Sequence, residues 1–331
     1  MLFAGIDGGG TKTKGALMNG NLEVLNVVNV GGSNFQSIGV KKAKERFEEL
    51  LNRLIEPFNM NLSEIDFVYF GIAGADRPKD FEIIDGFLKE LGLKAYDFHN
   101  DGWIALKSGT VDGVGILVTL GTGSVAFGMN KKNEWKRIGG FWGLLGDWLG
   151  GYSLASKAIS AAQRGKDERG FPTILYNKLR NFLNVDSLLD LIEYEYYDFE
   201  GKNDLRQKAI GIIKTLFECA EEFDGVALEI VWEAAKEILK TIDILYKSLF
   251  DEGEPFKLVL EGSVLKARYK SLTNMLENAL KSKYDVELIY PDHDPVVGAL
   301  MLAAENLGMK NVERKIIEGY LEYQKQKGVI S

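Results

Sequence analysis

Short apolar runs that end in glycine-rich turns alternate along most of this chain with longer stretches of three-four apolar spacing. Leu2 to Ile6 reads as a buried strand, and Lys14 to Met18 and Leu22 to Val30 return as a second and a third. Gly39 to Glu56 has helical spacing through Val40, Ala43, Phe47, Leu50, Leu51 and Leu54, and Pro57 ends it. Asp66 to Ile72 reads as a strand and Lys79 to Leu91 as a helix stopped by Gly92. A short strand over Tyr96 to His99 leads into a helix over Gly102 to Ser108. Strands alternating with helices predict an α/β fold, with ligand sites at the carboxyl ends of the strands.

The pattern then restarts. Gly115 to Leu120 is an apolar run, Gly121-Thr122-Gly123-Ser124 a glycine-hydroxyl turn, and Val125 to Met129 a returning strand. This repeats the opening unit, strand, Asp7-Gly8-Gly9-Gly10-Thr11, strand, and predicts two related lobes. Ser153 to Arg164 reads as a helix, and from Thr173 to Phe250 the spacing is nearly all helical; Leu228, Val231, Ala235, Ile238, Ile242, Leu245 and Leu249 form one buried face. Strands over Lys257 to Leu260 and Val286 to Tyr290, and helices over Leu265 to Leu280, Val296 to Leu307 and Val312 to Gln326, complete the chain. The expected division is a first lobe over residues 1–112 plus about 312–331, and a second over 113–311 that carries a helical block over about 153–250.

The 331 residues suffice for two domains, and 46% apolar with 27% charged residues is ordinary for a soluble enzyme. A net charge of −8 argues against general affinity for nucleic acid or an anionic membrane. No apolar run reaches the length of a membrane span. The single cysteine, Cys219, rules out an intrachain disulfide framework and a cysteine metal site, which fits a reducing cytoplasm.

The candidate chemistry begins at the first turn. Glycines in succession leave backbone N–H groups able to face an anion, and threonine hydroxyls add donors. Asp7 repels a phosphate but makes sense with Mg²⁺ between them, held through water as carboxylates hold hydrated Mg²⁺. The stretch is not a Walker loop, which needs Gly-x-x-x-x-Gly-Lys-Ser/Thr before a helix. A plain glycine hairpin is the competing reading, although three successive glycines exceed what a hairpin needs. Gly139 to Tyr152 mixes glycines and aromatics with a single acid, Asp147, which suits either a sugar site or a packed connection. Gly262, at a strand-to-helix turn, allows backbone to approach a planar ligand. Tyr194, Tyr196 and Tyr197 read as packing or an oligomer surface. His99 and His293 have no partner at metal-ligand spacing.

Asp7-Gly8-Gly9-Gly10-Thr11-Lys12-Thr13, Gly121-Thr122-Gly123-Ser124, Gly146-Asp147 and Gly262-Ser263 together resemble the sugar kinase/Hsp70/actin superfamily. More closely they resemble its BadF/BadG/BcrA/BcrD-type ATPase branch, which holds the N-acetylglucosamine kinases and the glucosamine-type kinases. The resemblance implies two actin-like, ribonuclease H-like lobes around a nucleotide cleft, and use of ATP with Mg²⁺. It implies that Asp7 to Lys12 and Gly121 to Ser124 hold the phosphates and that Gly262 and Ser263 lie by the adenosine. It implies a sugar site of Asn34, Gly74, Asp101, Gly140 and Asp147, with Asp101 as catalytic base, and a homodimer as the habitual assembly. Asp101 also reads as a helix N-cap. Trp148 and Leu149 stand where the family has Glu and a small residue, and Gln36 where it often has an aromatic, so sugar preference stays open between N-acetylglucosamine and glucosamine. The branch's dehydratase activators need paired cysteines for an iron–sulfur cluster, and the related ROK kinases usually carry a cysteine-rich zinc motif; one cysteine supplies neither. The other readings are a sugar or nucleotide sensor on the same fold, or an ATPase that serves a protein partner.

Overall fold

The computed structural model describes residues 1–121, 123–141, 145–196 and 205–329. Thr122, Trp142, Gly143, Leu144 and Tyr197 lie outside them. Two compact units emerge, Met1–Gly115 with Pro291–Ser331, and Ile116–Tyr290.

The first unit carries a five-stranded sheet of β1 (Leu2–Gly8), β2 (Lys12–Asn19), β3 (Val24–Gly31), β4 (Phe67–Ile72) and β5 (Tyr96–His99), in the order β3-β2-β1-β4-β5. β1 to β3 form an antiparallel meander, whereas β4 and β5 join parallel to β1. Both faces are covered, which is why the central strands read as continuous apolar runs rather than alternating ones. Ala4, Ile6, Leu17, Val68 and Phe70 pack on one face against α2 (Val40–Ile55) and α3 (Pro78–Leu88). A second core, with Phe3, Ala16, Met18 and Tyr69, packs on the other face against α4 (Asp101–Thr110), α12 (Val296–Asn306) and α13 (Glu313–Gln326). Between β3 and α2 lies the single turn α1 (Phe35–Ile38).

The second unit repeats this plan. β6 (Gly115–Leu120), β7 (Ser124–Met129), β8 (Trp135–Gly139), β9 (Phe256–Glu261) and β10 (Val286–Ile289) lie in the order β10-β9-β6-β7-β8, with β9 parallel to both β6 and β10. Read from the third strand of each unit, the two orders are the same. Among the described residues five α-helices enter between β8 and β9: α5 (Gly151–Lys166), α6 (Leu175–Leu183), α7 (Leu191–Tyr196), α8 (Leu205–Glu221) and α9 (Gly225–Leu249). α10 (Ser263–Lys266) and α11 (Lys270–Lys283) separate β9 from β10. Among the described residues no helix is long and apolar enough to cross a membrane.

One expected boundary moves. Residues 291–311 belong to the first unit, not the second. The cause is the small-residue face of α12: a Cβ on Gly298 would stand 1.9 Å from the Ile104 carbonyl oxygen, so the backbones of α12 and α4 touch directly. Gly298, Ala299, Ala303 and Ala304 are all fully packed or nearly so in that layer.

Candidate functional site

The first turn is built to be rigid while staying open to solvent. Gly9 N–H donates to the Lys12 carbonyl at 3.0 Å and closes the hairpin. Ser33 N–H donates to the Gly9 carbonyl at 3.0 Å, and Ala73 N–H to the Gly8 carbonyl at 2.8 Å. Behind them the Thr13 hydroxyl donates to the Ser33 hydroxyl at 2.8 Å, with both residues fully buried. Gly32 lies so close that a Cβ there would sit 2.1 Å from the Gly10 carbonyl oxygen. Gly10, Thr11 and Lys12 remain exposed, and nothing lies within 4 Å of where a Gly10 side chain would point. Gly9 therefore shapes the turn, and Gly10 to Lys12 present it. That is a fit for an anion held by backbone donors.

Asp7 lies partly exposed at the end of β1, facing Lys14 across the β1–β2 register. Lys14 is ion-paired with Asp294, whose carboxylate also accepts from the buried Tyr320 hydroxyl at 2.9 Å. Burial alone would raise the Asp294 carboxyl, but the Lys14 ammonium, the Tyr320 hydroxyl and the charge of Lys12 outweigh it and hold its pKa below the ordinary carboxylate value. Tyr320 is pushed far above the ordinary phenol range by burial and by Asp294, with Asp7 adding to the effect. No sequence pattern marks this cluster, since its members come from β2, the turn before α12, and α13. Among the described residues no group of three or more histidine, cysteine or acidic side chains could hold a metal by itself. A hydrated Mg²⁺ brought with a nucleotide needs no such cage, and Asp7 beside an open phosphate turn fits it.

At the carboxyl ends of β3 and β4 two predicted sugar residues of this unit, Asn34 and Gly74, come together, and Asp101 follows β5. Asn34 caps α1, its side-chain oxygen accepting from Gln36 N–H at 3.0 Å, and that oxygen lies beside Gly74. The Gln36 amide donates to the Gly74 carbonyl at 3.2 Å, tying the two loops. Asp101 is the first residue of α4, and the cap is Asn100, whose side-chain oxygen accepts from Gly102 N–H at 2.9 Å. The alternative of Asp101 as N-cap is thus corrected: the neighbouring asparagine has that task. Asn100 is buried, and its amide donates to Asp76 at 2.9 Å. Gln36, Asp76 and Asn100 are the residues that sequence reasoning did not assign to the site; only the Asn-Asp pair before a helix signalled one of them.

His99 stacks on Trp103 at 4.0 Å and meets Phe81 edge-on at 5.5 Å. Its Nδ1 accepts from Asn100 N–H at 2.8 Å. Burial lowers its pKa to about 4, so it is neutral packing at neutral pH. His293 bridges the Asp292 carboxylate and the Ser108 carbonyl, a structural role in its turn. Cys219 is buried, and burial pushes its thiol up to about 11, far from a reactive thiolate.

In the second unit the Gly121 N–H donates to the Gly123 carbonyl at 2.9 Å, closing the second turn as Gly9 closes the first. Gly262 has φ +93°, and a Cβ on it would stand 2.4 Å from the Leu120 carbonyl oxygen. Ser263, at the start of α10, lies beside Gly121. The structure thus brings Gly121, Gly262 and Ser263 together. Gly140 and Asp147 also meet: the Asp147 carboxylate accepts from Gly140 N–H at 3.1 Å and from Phe141 N–H at 2.5 Å. Asp147 with Trp148, Leu149, Phe141, Ser124 and Glu237 lines a cavity of about 270 Å³. A larger cavity, about 500 Å³ near Asp243, Tyr246 and Tyr284, contains none of the predicted site residues, and its Asp243 carboxylate is already satisfied by Lys247, Lys283 and Tyr284.

Residues 4–303 match the BadF/BadG/BcrA/BcrD ATPase family. The N-acetylmuramic acid/N-acetylglucosamine kinase of Clostridium acetobutylicum is 32% identical over 90% of this chain and 97% of its own. The N-acetyl-D-glucosamine kinase of Dictyostelium discoideum is 30% identical over 91% of this chain and 97% of its own. In fold, the chain is similar to a candidate N-acetylglucosamine kinase of Chromobacterium violaceum, with a TM-score of 0.74 at 20% identity over 91% of this chain and 98% of that one. It is also similar to a ROK family glucokinase of Streptomyces griseus, with a TM-score of 0.57 at 18% identity over 92% and 99%. With an internally repeated α/β plan and a family match across nearly its whole length, the chain belongs to the BadF/BadG/BcrA/BcrD ATPase family.

Proposed function

We propose that the protein is an ATP-dependent phosphotransferase acting on a hydroxyl of an amino sugar, N-acetylglucosamine or glucosamine, with Asp101 as the general base. The observation that carries the reading is local. Asp101 stands at the first position of α4 without being the helix cap, next to Asn100, whose amide reaches Asp76 in the loop that also carries Gly74, and Gly74 lies against Asn34. A partly exposed carboxylate beside side-chain amides suits a polyhydroxylated ligand, because each hydroxyl needs both an acceptor and a donor. The kinase names of the two relatives, each over nine-tenths of the chain or more, support the same substrate class.

Asp101 accepts the proton of the attacking sugar hydroxyl and aims its oxygen in line with the γ-phosphorus. Gly10 to Lys12 direct backbone donors at the transferring phosphoryl group, and Gly123 and Ser124 do the same from the second turn. Gly262 and Ser263 take the adenosine, and Asp7 orients the hydrated Mg²⁺. When bound, that ion neutralises charge developing on the phosphate oxygens. Asn34, Gly74, Gly140 and Asp147 hold the sugar, Asn34 through its amide N–H donors and Asp147 from the wall of its cavity.

The test is ADP release with Mg-ATP across N-acetylglucosamine, glucosamine, N-acetylmannosamine, N-acetylmuramic acid and glucose, with ³¹P NMR of the product. Sugar-dependent turnover that yields a phosphorylated amino sugar is the expected result. Ligand-induced thermal shifts without turnover on any sugar would favour a sensor.

A further inference from the structure

We propose that Gln36 is a specificity-determining residue of the sugar site: its side-chain oxygen accepts a hydrogen bond from a hydroxyl or amide N–H of the bound sugar, next to the Asn34 amide that donates one. The inference rests on the reading of Asn34 and Gly74 as sugar ligands.

Two acceptors fix which end of the Gln36 amide faces inward. The amide nitrogen donates to the Gly74 carbonyl at 3.2 Å. The Gln36 side chain also bonds the carboxylate of Asp80, in the first turn of α3. Asp80 is 1% exposed and is clasped by Arg77, whose Nε and Nη2 lie 2.9 and 2.8 Å from its oxygens. The Arg77 guanidinium holds its pKa below the ordinary carboxylate value against burial, and the bond from Gln36 adds to that, so at neutral pH Asp80 only accepts. An amide turned around would set its oxygen against a carbonyl and a carboxylate at once. The nitrogen is therefore the inner end, with two hydrogens for two acceptors. The oxygen is the outer end, on a residue that is exposed.

Asn34 is fixed in the opposite sense. Its side-chain oxygen accepts from the Gln36 backbone N–H at 3.0 Å, which makes the NH₂ group its outer end. The two side chains meet over Gly74, where φ is +94° and a Cβ would stand 2.9 Å from the Asn34 oxygen and 3.3 Å from the Gln36 amide carbon. A donor end and an acceptor end thus lie side by side at the ends of β3 and β4. A sugar presents the complement, since each hydroxyl both donates and accepts, and an acetamido group carries an N–H beside a carbonyl. A site built to bond such a group is left with an unpaired polar atom when the group is missing, so it selects against the analogue that lacks it.

The test uses sugar binding by calorimetry, with steady-state ADP release and thermal unfolding of each variant. Gln36→Met removes the acceptor and the donors together. It is expected to weaken N-acetylglucosamine binding about 5–10-fold, the scale of one neutral hydrogen bond, with kcat changed less than about threefold. Gln36→Lys keeps donors for Gly74 and Asp80 but carries no acceptor. It is expected to hold Tm at the parent value and yet weaken the sugar as Gln36→Met does. Binding is then compared across N-acetylglucosamine, the analogues that lack one of its hydroxyls at a time, and the deoxyglucose that lacks its acetamido group. For the analogue without the hydrogen that Gln36 accepts, the parent protein and Gln36→Met should bind within about twofold of each other. Which analogue that is tells a hydroxyl from the amide N–H. The proposal is overturned if Gln36→Met binds N-acetylglucosamine as the parent does, if Gln36→Lys restores the affinity, or if the loss is the same for every analogue; the last two are the marks of a residue that merely ties two loops. A parent protein that binds none of these sugars overturns it as well. Failure of the phosphotransferase reading shows separately, as ADP release that no sugar stimulates in a protein that still binds the sugar.

Discussion

The two glycine turns occupy the same place in sheets of the same strand order, yet they are not chemically equal. The β1–β2 turn follows an acid, Asp7, and is held by Thr13 of β2 and by Gly32 and Ser33 of the loop after β3. At the corresponding end of β6 stands Leu120, fully buried, and its neighbour is the Gly262-Ser263 turn. Repetition of a supersecondary unit thus supplied two glycine hairpins, and divergence gave them different second partners. One turn is linked to an acid and, through Lys14, to the Asp294–Tyr320 pair; the other is linked to a glycine that lets backbone approach backbone. On the proposed reading, the two acids assigned to the reaction, Asp7 and Asp101, both lie in the first unit.

The largest way to break that contrast is at Asp7. Asp7→Asn is expected to cost about 10²-fold in kcat/KM for Mg-ATP, the scale of removing one preorganised electrostatic contact, here the one to the hydrated Mg²⁺. Its half-maximal Mg²⁺ concentration should rise as well. A variant with an unchanged Mg²⁺ requirement would show that the acid does not organise the ion.

Next come the two close approaches. Gly32→Ala would place a methyl 2.1 Å from the Gly10 carbonyl and must displace the first turn. The expected result is a kcat loss of about 10-fold or more, with a lower Tm, since overpacking of this kind typically costs about 1–3 kcal/mol. Gly262→Ala meets both a positive φ and the Leu120 carbonyl at 2.4 Å. It should raise the KM for ATP while leaving sugar binding unchanged. Equal effects of the two variants on kcat and on both affinities would erase the distinction between a reacting turn and a binding turn.

The smallest effect sharpens the local picture around α4. His99 is held neutral, its pKa lowered from 6.5 to about 4 by burial. The unfolded chain therefore binds a proton between those values that the folded chain refuses, so stability falls as pH drops through that window. His99→Gln should make the decline in Tm from pH 6.5 to pH 4 shallower. An identical decline in both proteins would mean that other groups control acid stability.

Much of this was legible in the sequence. The strand-turn-strand units around Gly8 to Gly10 and Gly121 to Gly123 announced themselves because strands buried on both faces must be apolar throughout and can turn sharply only at glycine. Gly140 and Asp147 were named together only through the family resemblance, and the structure joins them by the Gly140 N–H to Asp147 bond. Three things were not legible. The small residues of α12 announced close packing but not its partner, so 291–311 were expected in the second unit. Asn100 and Asp101 are both good helix caps, and only the position of the Gly102 N–H separates their tasks. The Lys14–Asp294 pair spans 280 positions, a distance over which no periodicity operates.

The central claim is that the carboxylate of Asp101 takes the proton of a bound sugar. Asp101→Asn, measured for N-acetylglucosamine-dependent ADP release and for sugar binding by calorimetry, tests it most directly. The account predicts a rate loss of about 10²–10⁴-fold with sugar affinity changed only a few-fold and with ATP binding unaltered. Turnover within a few-fold of the parent protein, with the sugar still bound, would contradict it.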